Sequence, residues 1–135
     1  MGYTHYFGSD REFTASEWEK LTLATRKVLR VAQDNLGIAL SKDYDKNSPP
    51  VVDDEHIWFN GHGAEGHETF SIRKSGGRDF CKTARKPYDA PVVAILLLAD
   101  KICPAFSWAS DGDGEDGALA GADEIINHSE FEGIS

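Results

Sequence analysis

The chain has 135 residues and a mass of 14.8 kDa, with 40% hydrophobic and 27% charged residues, which fits one domain over 1–135 and excludes wholesale disorder. A formal net charge of −9 argues against direct DNA or RNA binding, because phosphate contacts need a surplus of lysine and arginine. The longest apolar run, Val92 to Ala99, stops at Asp100 and falls well short of the roughly 20 residues that span a bilayer, so no membrane partner is expected.

In chain order, Tyr3 to Phe7 alternates aromatic and polar residues as an opening β-strand does, with Tyr3 and His5 on one face and Thr4 and Tyr6 on the other. The opening lacks the basic and apolar regions of a signal peptide. Thr14-Ala15-Ser16-Glu17 forms a capping box, and Phe13 stands where it can staple onto Trp18, so a helix begins at Ala15. Trp18, Leu21, Val28, Leu29, Ala32 and Leu36 recur at helical spacing, and Gly37 supplies the stop.

A short strand over Ile38 to Leu40 and a polar loop from Asp43 to Pro50 follow. Ile57 to Phe59 and Thr69 to Ile72 read as a hairpin around the glycine-rich turn Gly61 to His67. Residues Arg73 to Lys86 read as a basic loop. Asp89 then reads as the N-cap of a helix that is apolar all round from Val92 to Leu98 and ends at Pro104. Phe106 to Ala109 has room for a strand, Ser110 to Gly117 for a turn, and Leu119 to Ile126 for a weak final helix. The expectation is an α+β fold: a small antiparallel or mixed sheet, a long amphipathic helix, a buried central helix and a weak C-terminal helix.

Cys81 and Cys103 are too few for a disulfide framework and point to thiols in a reducing compartment. Charge is unevenly spread. No lysine or arginine follows Lys101, while Asp111, Asp113, Glu115, Asp116, Asp123, Glu124, Glu130 and Glu132 do. Against this, Arg73, Lys74, Arg78, Lys82, Arg85 and Lys86 face only Asp79, a basic island in an acidic chain.

That island next to a hydroxyl and an aromatic ring suits a phosphate and its attached base. Arg78, Lys82, Arg85 and Lys86 would hold phosphate, Thr83 would hydrogen-bond, Tyr88 would stack, and Asp111 would reach a ligand's hydroxyls. With Asp89 as N-cap occupying the helix amides, side chains would do the binding. The competing reading is a solvated basic loop that offsets the acidic C-terminus.

His56, His62, Glu65, His67 and Glu68 could ligate zinc, yet their spacing matches no zinc signature, and no metal or other cofactor is expected. Asp111 to Gly117 fails the EF-hand pattern, which needs glycine where Asp116 stands and glutamate where Ala122 stands. Cys81 has basic neighbours that could lower its pKa, but no nucleophile motif accompanies it, so no catalytic residue is assigned.

The opening Met1-Gly2-Tyr3-Thr4-His5-Tyr6-Phe7, the segment Phe80-Cys81-Lys82-Thr83 with Lys86-Pro87-Tyr88-Asp89, and Ser110-Asp111-Gly112-Asp113 resemble a family of small phage and prophage proteins of unknown activity. The resemblance spans nearly the whole chain and implies the cytoplasm of an infected bacterium. Three functions follow as expectations. The first is binding of a phosphate-bearing small molecule, sequestering a nucleotide immune signal. The second is an acidic inhibitor of a basic host protein such as a CRISPR effector or nuclease, and the third is a nucleotide-processing enzyme. A homo-oligomer stays open.

Overall fold

The computed structural model describes residues 4–42, 48–84, 86–110 and 125. In chain order the elements are β1 (Thr4–Ser9), α1 (Ala15–Asp34), β2 (Leu40–Ser41), β3 (Val51–Val52), β4 (His56–Gly61), a 3-10 turn (Gly63–Glu65), β5 (Phe70–Arg73), β6 (Gly77–Lys82), α2 (Asp89–Ile102) and β7 (Phe106–Ser110). Two antiparallel sheets result. One has three strands in the order β6-β1-β7; in the other β4 is central, with β5 along one side and β2 and β3 along the other. The α+β class expected from the sequence is the one observed.

Helix α1 forms where its start signals stand. Glu17 N–H donates to Thr14 Oγ1 at 3.1 Å, and Thr14 N–H donates back to Glu17 Oε1 at 2.9 Å. Phe13 meets Trp18 edge-on with ring centroids 5.3 Å apart, fixing the angle at which the chain enters the helix. Arg11 clamps both oxygens of Glu17, at 2.8 and 2.9 Å, and this guanidinium holds the Glu17 carboxyl down at about 2. Past Asp34 the chain turns through Gly37, at φ +68°.

Helix α2 is buried nearly all round: Val92, Val93, Ile95, Leu96 and Leu98 are each at most 3% exposed. Burial of such side chains contributes about 1.5–3 kcal/mol each, which is why this short run anchors the domain. Phe70 bridges the two sheets, 5.1 Å from Phe7 and 5.4 Å from Phe59. No described helix is long and apolar enough to cross a membrane. The proposed C-terminal helix lies outside the described residues except for Ile125, which is helical and buried in the core.

Two differences from the sequence reading position the site. The segment read as a basic loop is for the most part the turn after β5 and strand β6, and β6 pairs with β1 along its whole length, from Thr4 opposite Lys82 to Ser9 opposite Gly77. Gly77-Arg78-Asp79-Phe80-Cys81-Lys82 has little strand propensity; pairing with β1 imposes the extended form. Asp89 is the first residue of α2 and not its cap. Tyr88 occupies the cap position and makes no side-chain cap bond, and the Asp89 carboxylate turns inward to His5.

Candidate functional site

Strand geometry sorts the basic segment onto two faces. Side chains alternate along a strand, so Arg78, Phe80 and Lys82 share one face of β6 while Asp79 and Cys81 take the other. On β1 the register places Gly8, Tyr6 and Thr4 beside them, and on β7 Ser107 and Ala109 continue the first two rows. The outer face of the β6-β1-β7 sheet therefore carries an aromatic pair flanked by cations. Tyr6 is 49% exposed and Phe80 56%, with ring centroids 6.4 Å apart.

Arg78 and Lys82 lie on either side of Phe80, about 13 Å apart along the strand at the usual rise per residue. The Arg78 guanidinium crosses β1 over Gly8 to donate to Ser107 Oγ at 2.8 Å, and it pairs with Asp10 at 2.8 Å. Gly8 is required for that crossing, since a Cβ there would stand 2.7 Å from Arg78 Cδ and 2.4 Å from the Gly77 carbonyl oxygen. The Arg78–Asp10 pair is exposed on both sides, so a phosphate can compete for the guanidinium at small cost.

The other residues assigned to a ligand from sequence are placed differently. Tyr88 is fully buried and its hydroxyl donates to the Glu68 carbonyl at 2.6 Å, so its ring is core and does not stack on a base. Thr83 is also fully buried and donates to Asp89, which leaves its hydroxyl committed inside the protein. Lys86 is half-buried in the turn that joins β6 to α2, with its N–H on the Thr83 carbonyl at 3.0 Å. Arg85 and Asp111 lie outside the described residues, as do the acidic residues Asp111 to Glu132 on which binding to a basic host protein would rest. Among the described residues, the hollow that Arg78 lines is about 20 Å³, and larger hollows of about 410 and 510 Å³ lie along α1 without a β6 residue.

Among the described residues, no group of three or more histidine, cysteine or carboxylate side chains comes together to hold a metal ion, and His56 and His67 have separate neighbours. His67 Nδ1 lies 2.8 Å from the Lys82 carbonyl, while His56 sits 3.8 Å from Asp53 and edge-on to Trp58.

Behind the sheet, the same end holds a buried polar chain. Register sets Ser110 opposite His5, and Ser110 Oγ lies 2.5 Å from His5 Nδ1. His5 Nε2 lies 2.5 Å from Asp89 Oδ1, which also accepts from Thr83 Oγ1. His5 and Asp89 are almost completely buried, and Ser110 at the end of β7 is partly exposed.

Cys81 corrects the expectation of a lowered thiol pKa. It is buried, 3.4 Å from the Glu68 carbonyl, and burial pushes its pKa from 9.0 up to about 12. A thiol raised in the folded state adds stability that is fully present below pH 9 and is lost as pH rises toward 12. Iodoacetamide at pH 9 should modify Cys81 at least ~100-fold more slowly in the native chain than in urea, since only the exposed thiolate reacts. Equal rates in the two states would show that Cys81 is accessible and ionised.

Sequence reasoning missed Tyr6 and Phe80 as ligand groups, and His5 and Ser110 altogether. For the aromatic pair a signal was present, the period-two order Arg78, Phe80, Lys82; the His5 chain joins residues 84 and 105 positions apart and left none. No family model, curated protein or solved structure matches this chain.

Proposed function

We propose that the chain binds a phosphate-bearing nucleotide on the outer face of the β6-β1-β7 sheet, as a phage-type accessory protein that withholds a nucleotide signal from host defence. The observation that carries the reading is the exposed Tyr6–Phe80 pair set between Arg78 and Lys82. Exposed rings of this size leave apolar surface in water unless something covers them. A base stacks on any aromatic face, and its phosphates then reach the flanking cations. The overall acidity of the chain restricts this attraction to the local face and disfavours a long polyanion.

Calorimetric titration with a panel of mononucleotides, dinucleotides and cyclic nucleotides at low salt is the test. Binding to the wild type is expected, with Tyr6→Ala and Phe80→Ala each weakening it about tenfold, the equivalent of roughly 1.4 kcal/mol of stacking. Lys82→Ala and Arg78→Ala should also weaken it, and added salt should reduce affinity for the wild type more than for either variant. Ligand recovered unchanged by mass identifies binding without turnover. A folded wild type that binds none of the panel, or an unaltered affinity in both aromatic variants, overturns the reading.

A further inference from the structure

The polar chain on the inner side of the same sheet has the parts of an activated nucleophile. Ser110 Oγ and His5 Nδ1 are 2.5 Å apart, and His5 Nε2 is 2.5 Å from Asp89 Oδ1. With Asp89 as acceptor, the neutral ring carries its proton on Nε2. The Nδ1 lone pair then faces the Ser110 hydroxyl and can take its proton. That is the arrangement of hydroxyl, imidazole base and orienting carboxylate recognised by geometry and role, here with the two ring nitrogens exchanged relative to the serine-protease arrangement.

Two further observations favour chemistry over mere packing. Asp89 Oδ2 is buried without a hydrogen-bond partner, a cost of about 1–3 kcal/mol that a purely structural network avoids. The chain also runs from the interior outward: His5 and Asp89 are at most 2% exposed, whereas Ser110 reaches the surface at the end of β7. Trp108 stands edge-on to the imidazole at 6.3 Å and walls one side.

We propose that Ser110 is a nucleophile activated by His5, with Asp89 as the positioning residue, directed at the carbonyl carbon of a carboxylic ester. A neutral carbonyl is favoured because a buried carboxylate repels an approaching anionic centre. Attack forms the Ser110 Oγ–acyl bond and breaks the bond to the leaving alkoxide. The hydroxyl proton passes to His5 Nδ1 and from there to the departing oxygen, and water completes hydrolysis by the same path in reverse. The inference uses none of the aromatic face and stands apart from nucleotide binding.

A tagged fluorophosphonate tests it without knowledge of the natural ester. Ser110 Oγ displaces fluoride from phosphorus, leaving a stable adduct, while its proton goes through His5 to solvent. Peptide mass analysis of the full folded chain is expected to find the adduct on Ser110, formed at least ~100-fold faster than on Ser107, an exposed serine of the same strand without a histidine. His5→Gln and Asp89→Asn should each cut that rate by about 100-fold while circular dichroism reports a folded chain. If either variant unfolds, the Ser110-to-Ser107 ratio in the wild type decides alone. No adduct on the folded wild type, equal labelling of the two serines, or undiminished labelling in folded His5→Gln overturns the assignment.

Discussion

Asp89→Ala should lower the unfolding free energy by about 2–6 kcal/mol, about 1–3 kcal/mol for each of two buried donors that lose their acceptor. The substitution strips this acceptor from both His5 Nε2 on β1 and Thr83 Oγ1 ahead of α2. Little is returned, because Asp89 makes no cap bond whose loss or gain could offset the damage. Thr83→Val is the matched control. It removes one donor and leaves the carboxylate on His5, so a loss of only about 1 kcal/mol is expected. Urea unfolding followed by tryptophan fluorescence measures both. A loss below ~1 kcal/mol for Asp89→Ala would mean that the carboxylate is already poorly solvated and contributes nothing net, and the polar chain would then not order the sheet end that carries Ser110.

How far the fold was legible in sequence depended on how local its causes were. Helix α1 was readable to the residue at its start, since Thr14, Glu17, Phe13 and Trp18 act on one another within five positions. The buried helix was readable because an unbroken apolar run bounded by Pro91 and Pro104 has few other uses. The β4–β5 hairpin followed from its turn, and Ile57 does pair with Ile72.

Strand β6 failed as a strand for the opposite reason. Its glycine and charged residues fit a loop, and pairing with distant β1, from Ser9 opposite Gly77 to Thr4 opposite Lys82, makes it extended. The candidate site inherited that failure. Read as a loop, the segment offered Tyr88 as its aromatic group; paired with β1, it turns Phe80 outward beside Tyr6 and leaves Tyr88 in the core. Asp89 was misplaced by the same kind of cause. An aspartate ahead of an apolar helix is usually its cap, but here His5, brought over by the sheet, competes for the carboxylate and wins.

Gly76→Ala is expected to cost about 2–5 kcal/mol, and Gly77→Ala about half as much, although the two glycines are neighbours, the last of the turn and the first of β6. Both have positive φ, +87° and +98°, so each substitution forces an L-residue into a conformation that costs roughly 1–2 kcal/mol. Only Gly76 is also crowded. A Cβ there would stand 2.4 Å from the Arg11 carbonyl oxygen and 2.9 Å from its carbon, whereas a Cβ on Gly77 meets nothing within 4 Å. Both contacts are with backbone, which cannot swing aside as a side chain would. That backbone is held in turn, because Phe13 N–H donates to the Lys74 carbonyl at 2.9 Å and Ser9 Oγ–H donates to the Arg11 carbonyl at 2.6 Å. The turn between β5 and β6 is thus locked against the segment that leads into α1, and this lock fixes where β6 begins. A one-residue slip of β6 would turn Arg78, Phe80 and Lys82 inward and Asp79 and Cys81 outward, exchanging a cationic aromatic face for an acidic one. Urea unfolding of both variants measures the difference, and equal losses would show that the Arg11 contact is not what holds the turn. Where Gly76→Ala still folds, its nucleotide affinity should fall below that of Gly77→Ala, since the first strains the register and the second leaves it in place.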